Sequence, residues 1–244
     1  MRRKFVVFLA IATLTGCSSP SETSKGQSPS LPSQTTQSPQ QNSECPDGII
    51  DWIDALKIND IQYYALPYGT YTVEENMKGE VIGEVLFEMD NKACSDHQMQ
   101  NGDAAYLEVG TEIFEFEGYN PDFRVIANDV IYEVKENEKA ETIGDLYDIE
   151  GKVVGMSLRS YFDGSFITDL KEEHWTEFLD EYLALEYVGF DKIYEKIGNE
   201  DSTFLDIHLE DGTTVRFSYW TEANAVNPGA FASERMLEII SLYK

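Results

Sequence analysis

Between Ser18 and Glu44 the chain reads SSPSETSKGQSPSLPSQTTQSPQQNSE, in which Leu31 is the single large apolar residue. A stretch like this has no aromatic side chain and cannot bury enough apolar surface to offset the entropy of ordering its backbone. It is therefore expected to stay disordered. Any fold has to be built from the residues beyond it, where the composition turns abruptly aromatic and β-branched at about Cys45. That length suits one substantial domain or two small ones. As a flexible coil the polar tract spans roughly 30 Å end to end, enough to serve as a spacer.

What precedes the spacer is a targeting signal. Arg2, Arg3 and Lys4 form a basic start, and FVVFLAIAT follows from Phe5 to Thr13. The apolar run is too short to cross a bilayer, which makes it a secretory h-region. It ends at Leu14, Thr15, Gly16 and Cys17, which resemble the lipobox of bacterial lipoprotein precursors. That resemblance implies diacylglyceryl transfer to the Cys17 thiol and cleavage before it. Residues 1–16 are then a lipoprotein signal peptide, and residues 17–44 a lipidated cysteine with its linker. Each buried methylene contributes about 0.8 kcal/mol, so two or three acyl chains would hold the protein on the membrane almost permanently. The implied location is the cell membrane, lipid-anchored and facing away from the cytoplasm.

Charge narrows the partners. The chain holds 18 basic and 45 acidic residues and a formal charge of −27. Residues 1–16 carry three of the basic residues and none of the acidic ones, so their removal takes the charge to −30. Nucleic acid and anionic wall polymers are repelled by such a surface. Divalent cations, basic peptides or an envelope protein remain as partners, and nothing in the sequence calls for a cofactor. With Cys17 lipidated, Cys45 and Cys94 are left, and two cysteines in an exported domain tend to pair. A bond there would close a loop of about 50 residues, contributing roughly 4 kcal/mol through chain entropy. Two buried thiols are the alternative.

Periodicity predicts an α+β fold. LKINDIQYYAL reads as strand, Asn59-Asp60 turn and strand, while the preceding GIIDWIDAL fits helix or strand. EVIGEVLFEM, AAYLEVG, TEIFEFEGY and FRVIANDVIYEV continue the strand pattern, the last turning at Ala127-Asn128-Asp129. GKVVGMSLRS is a further strand, so residues 45–157 form a β-rich domain or subdomain of hairpins and meanders. Residues 158–244 form an α+β part in the order helix, antiparallel strands, helix. Asp169 and Glu172 suggest a capping box for a helix whose apolar face is Trp175, Phe178, Leu179, Tyr182 and Leu183. YVGFDKIYEKI reads as strand, or as an extension of that helix. TFLDIHLEDGTTVRFSYW is a hairpin turning at Asp211-Gly212, and a last helix from Asn227-Pro228 or Ser233 buries Met236, Leu237, Ile240 and Tyr243.

Two segments, NGDAAYLEVGTEIFEFEGYNPDFRVIA and FLDIHLEDGTTVRFSYWTEANAVNPGAF, resemble parts of exported lipoproteins of Gram-positive bacteria. This resemblance implies an extracytoplasmic α+β domain and supplies no catalytic residues.

Candidate chemistry is sparse. His174 and Glu177, three apart, fit one helical face for a metal, but no HExxH or HxxEH accompanies them. His208 is expected on the strand face opposite Ile207 and Leu209, and His97 lies in a loop near Cys94. Ser157 in GMSLR lacks the second glycine of a nucleophile elbow. Carboxylate pairs suit a glycosidase, yet 45 acids make some such pair inevitable. In SYWTEANAVNPGAF, Trp220, Asn224 and Asn227 offer stacking and amide hydrogen bonds to a ligand, or else finish a core strand and its turn. Tyr63, Tyr64, Tyr68 and Tyr71 allow an aromatic patch or half-buried sheet positions. Together these features predict a non-catalytic binding or interaction module at the cell surface. A cell-wall hydrolase using carboxylates or a His174-centred metal is the alternative. Replacing Cys17 tests the anchor: Cys17→Ala should abolish metabolic labelling with radioactive palmitate, and unchanged labelling would contradict the lipid assignment.

Overall fold

The computed structural model describes residues 45–67 and 71–243. The lipobox, Cys17, the spacer and Tyr68 lie outside them. Residues 43–244 constitute one compact unit.

The first sheet has eight strands. They are β1 (Ala55–Ile58), β2 (Ile61–Ala65), β3 (Lys78–Glu84), β4 (Phe87–Glu88), β5 (Asp103–Ala104), β6 (Glu112–Phe116), β7 (Arg124–Ala127) and β8 (Val130–Glu136), in spatial order β3-β6-β7-β8-β2-β1-β5-β4. Two Asn-Asp pairs make its tightest hairpins. Asn59 and Asp60 between β1 and β2, and Asn128 and Asp129 between β7 and β8, all have positive φ. Two successive left-handed residues match the twist of the flanking strands, which is why Asn and Asp occupy both turns. Every β7 residue is buried, consistent with its place inside the sheet. AAYLEVG departs from expectation. Only Asp103–Ala104 pairs, while Ala105 and Leu107 are buried in irregular backbone. GIIDWIDAL is likewise irregular until Ala55.

A short helix, α1 (Ile143–Leu146), leads to the second part. This comprises β9 (Val153–Arg159), β10 (Phe166–Asp169), α2 (Glu172–Leu183), α3 (Phe190–Ile197), β11 (Thr203–Leu209), β12 (Thr214–Trp220), β13 (Ala225–Val226), β14 (Ala230–Phe231) and α4 (Glu234–Ser241). The strands form a six-stranded sheet, β10-β9-β11-β12-β13-β14, in which each neighbouring pair is antiparallel. The strand containing Ser157 thus belongs to this second sheet. The architecture is α+β, as the sequence predicts.

Local details differ in instructive ways. Asp169 is taken into β10 opposite Ser157, so α2 starts without a side-chain cap and Lys171 stands at its cap position. A reciprocal capping box forms instead at Thr142 and Asp145. YVGFDKIYEKI is neither a strand nor part of α2. Gly189, at φ 82°, ends the connection, and α3 buries Ile193 and Ile197 against Ala225. These two residues sit four apart, which places both on one face of the helix. Gly189 is further constrained by Gly229, where an added Cβ would lie 2.3 Å from the Gly189 carbonyl carbon. For the last helix Ser233 is the cap, accepting from the Met236 N–H at 3.1 Å.

One core cluster draws on both sheets and on the helices: Leu56 and Tyr132 belong to it, as do Phe178, Phe217 and Ile240. Strand alternation puts Leu205, Ile207, Phe217 and Tyr219 on one face of the second sheet. There Tyr182 stacks on Phe217 with ring centroids 4.4 Å apart. At the start of the unit, Cys45 and Cys94 form a disulfide with Cα atoms 4.9 Å apart. Asp47 beside it accepts from the Ser95 N–H and hydroxyl at 2.7 and 2.9 Å. These bonds hold the Asp47 carboxyl below the usual aspartate range.

A fully buried cation joins the two sheets. Arg124 of β7 donates from Nε and Nη2 to Glu133 Oε2 at 3.0 and 2.6 Å, and from Nη1 to Thr213 Oγ1 at 2.6 Å. Thr213 lies in the turn between β11 and β12, so this last bond crosses from one sheet to the other. The guanidinium also lies over the rings of Phe123 and Tyr119, at 4.7 and 5.3 Å from their centroids. Burial pushes the Glu133 carboxyl up, and Arg124 opposes that rise. Arg124→Met should therefore cost roughly 3–5 kcal/mol in urea unfolding at neutral pH, because a buried carboxylate loses its partner. Without Arg124 the folded-state pKa of Glu133 rises further above its unfolded value. The penalty is then absent below the unfolded pKa and grows as pH rises, so the deficit should narrow on acidifying toward about pH 5. A deficit independent of pH would contradict this assignment.

Candidate functional site

The face of the second sheet opposite the aromatic core is polar, and alternation explains which residues stand on it. The β11–β12 register pairs Asp206 with Arg216 and His208 with Thr214. The β9–β11 register pairs Ser157 with Asp206 and Arg159 with Phe204. Asp206, 2% exposed, accepts a two-pronged contact from Arg216, with Nε to Oδ1 at 2.6 Å and Nη2 to Oδ2 at 2.9 Å. This fork raises the Arg216 guanidinium above its ordinary value. Arg159 approaches the same carboxylate from the other side, with Nε 2.9 Å from Oδ2 but without hydrogen-bond alignment. Its guanidinium lies over the Phe166 ring at 5.4 Å, and that of Arg216 over Phe204 at 5.9 Å. One buried carboxylate thus splays two arginines side by side.

Both arginines line a cleft of about 520 Å³, walled by Leu66, Pro67 and Tyr71 and floored by Glu133 and Thr213. The floor is the network around Arg124 described above. A smaller pocket of about 120 Å³ shares Leu66, Glu133 and Arg216 with the cleft and adds Tyr147, Lys135 and Asn227. Asn227 Oδ1 is buried with no partner among the described residues. Six arginines occur in the chain, and four of them lie beyond the spacer. Three of those four, Arg124, Arg159 and Arg216, line or underlie this cleft.

The three ring-and-amide candidates meet different fates. Trp220 packs near Phe190 of α3, with centroids 6.2 Å apart. Asn224, at φ 47°, spends its side chain on the local turn. Its Oδ1 accepts from Tyr219 Oη at 2.5 Å, and its Nδ2 donates to the Ala232 carbonyl at 2.7 Å. Of the three, Asn227 lines the smaller pocket, and its backbone carbonyl accepts from Tyr182 Oη at 2.8 Å.

The histidines are separated. His97 Nε2 lies 2.7 Å from Asp103 Oδ2, and His174 Nδ1 lies 2.5 Å from Tyr243 Oη. Glu177 does not join His174 in a metal set. Arg235 grips both its oxygens at 2.8 Å, and this hydrogen bonding holds the carboxyl below its usual range. Among the described residues no cluster of three metal-ligating side chains occurs, and no helix is long and apolar enough to cross a membrane. His208 does stand on the polar face, with Nε2 2.8 Å from Ser157 Oγ. Ser157 is fully buried, however, in a strand flanked by β10 and β11 on both sides. The neighbouring backbone N–H groups there serve the sheet rather than a developing oxyanion. Tyr63 is buried and donates to the Pro121 carbonyl at 2.9 Å; among the described members of its group, Tyr71 lines the cleft.

Sequence reasoning missed Arg159, Asp206 and Arg216. The signal existed, because the Asp211-Gly212 turn fixes a register that sets Arg216 across from Asp206. No family model, curated protein or solved structure matches the chain. The geometry makes Asn224 a turn residue. Asn224→Ala should lose at least about 2 kcal/mol of stability, from lost hydrogen bonds and left-handed strain, whereas Asn224→Gly should keep the strain-free backbone and lose less. Equal losses measured by thermal unfolding would contradict that role.

Proposed function

We propose that this chain is a lipid-anchored extracytoplasmic lipoprotein acting as a non-catalytic binding module at the cell surface, with the arginine-walled cleft as its binding site. The observation that carries the reading is the cleft itself: paired guanidinium groups open to solvent on a protein whose charge is otherwise strongly negative. Arginine presents a planar fork suited to carboxylate or phosphate, and concentrating it on one site gives a repulsive surface one place that attracts acidic groups. The Cys45–Cys94 disulfide agrees with an exported domain, since such bonds persist outside the reducing cytoplasm. Cys17, the spacer and the short apolar run supply the tether in this reading. A cell-envelope protein or peptide bearing an exposed acidic group is the partner class it favours.

A wall-active hydrolase has one contact in its favour, the Ser157–His208 pair, and its serine is fully buried in the sheet. The binding reading is tested in intact cells with a photo-crosslinking residue at Thr214, on the rim of the cleft. A discrete crosslinked species that a second probe at Val154, away from the cleft, does not yield is the expected result. Identical crosslinking from both positions, or none from either, would contradict a partner at the cleft.

A further inference from the structure

Resting on the reading of the cleft as a binding site, we infer that its ligand is a terminal carboxylate with a neighbouring N–H donor and an apolar side chain, the chemistry shared by free amino acids and peptide C-termini. Three features of the walls converge on this class. Arg216 uses Nε and Nη2 on Asp206, which leaves Nη1 without a partner among the described residues. Arg159 approaches Asp206 with Nε, and its Nη groups make no hydrogen bond among the described residues. The free prongs of two guanidiniums flanking one buried carboxylate make a planar seat for a second carboxylate. Asn227 lines the smaller pocket, and its Oδ1 is a buried acceptor with no donor among the described residues. A buried orphan acceptor is costly, and a ligand N–H would satisfy it. Arg216, Leu66 and Glu133 line both the cleft and the smaller pocket, so the carboxylate seat and the orphan acceptor belong to adjoining pockets. Leu66 and Tyr71 give the cleft its apolar wall.

Charge selects a monoanion. Arg159, Arg216 and Lys135 line the two pockets against Asp206 and Glu133, and Glu133 is already answered by Arg124 beneath. The local excess of positive charge is small, while the whole chain repels anions. A phosphate dianion is more costly to desolvate than a monoanion and meets the long-range repulsion with twice the charge.

Isothermal titration of the purified full chain with N-acetyl-leucine, N-acetyl-leucinamide, leucine and inorganic phosphate tests the inference. N-acetyl-leucine should bind saturably, and its amide and phosphate should bind at least about tenfold more weakly. Binding of leucine in preference to N-acetyl-leucine would place the source among free amino acids, and the reverse among peptide termini. Arg159→Gln leaves the Arg216–Asp206 fork in place, so it should remain folded and lose about tenfold or more in affinity. Arg216→Gln should lose at least as much, and Asn227→Ala should weaken N-acetyl-leucine while leaving the preference over the amide intact. Equal affinity for acid and amide, or unchanged affinity in folded Arg159→Gln protein, would overturn the assignment. A partner crosslinked at Thr214 would survive that outcome, so failure of the carboxylate chemistry is separable from failure of the binding function.

Discussion

The hydrogen bonds of Arg124 hold the two sheets in register and thereby create the cleft. A buried guanidinium is expensive unless every N–H finds an acceptor or an aromatic face. Here Glu133 takes two of them, Thr213 takes a third, and the rings of Phe123 and Tyr119 cover its planes. Because Thr213 belongs to the β11–β12 turn, satisfying Arg124 fixes where that hairpin sits against β7 and β8. Asp211 reinforces the same point. It accepts from Tyr119 Oη at 2.7 Å and from the Thr213 hydroxyl at 2.7 Å, so the turn is held from both sides. Apolar packing beneath the hairpin is non-directional, whereas this network tolerates one arrangement. It positions Arg216 and Asp206, further along the same hairpin, beside Glu133 of the first sheet.

From that placement the chemistry of the cleft follows. Asp206 is nearly inaccessible and draws two arginines toward itself, which keeps their remaining N–H groups at the surface rather than free to fold away. The chain is acidic enough to keep anions distant, so in the proposed reading an acidic ligand gains binding energy at the cleft. On that proposal specificity arises by contrast: a negative field that repels polyanions would still leave room for a single carboxylate. The tether proposed for the N-terminus would add to it by holding the cleft within a spacer's length of the membrane surface.

The hairpins were legible because their information is local. Asn59-Asp60, Asn128-Asp129 and Asp211-Gly212 carry turn chemistry within two residues, and the amphipathic face of α2 and α4 recurs at a fixed spacing. Helix α3 was misread because Gly189 interrupts YVGFDKIYEKI and its few apolar residues fit either period over so short a length. Asp169 failed as a helix cap for a non-local reason, since pairing with Ser157 claimed it for β10. The cleft was hidden for the same cause in stronger form. Arg159, Asp206 and Arg216 come from three strands, and nothing in the separate words GMSLR, FLDIHLE and TTVRFSYW marks them until the registers are aligned. Asn227 was singled out for its amide, yet what distinguishes it from Asn224 is an acceptor left without a donor, a property only packing reveals.

The central claim is that the free prongs of Arg159 and Arg216 form a carboxylate seat above the Arg124 network. A crystal structure of the protein soaked with N-acetyl-leucine addresses it most directly. The account predicts density for the carboxylate between the two guanidiniums, within hydrogen-bond distance of both, with the ligand N–H directed at Asn227. A ligand bound elsewhere, or arginines turned away into solvent with the cleft empty, would contradict it.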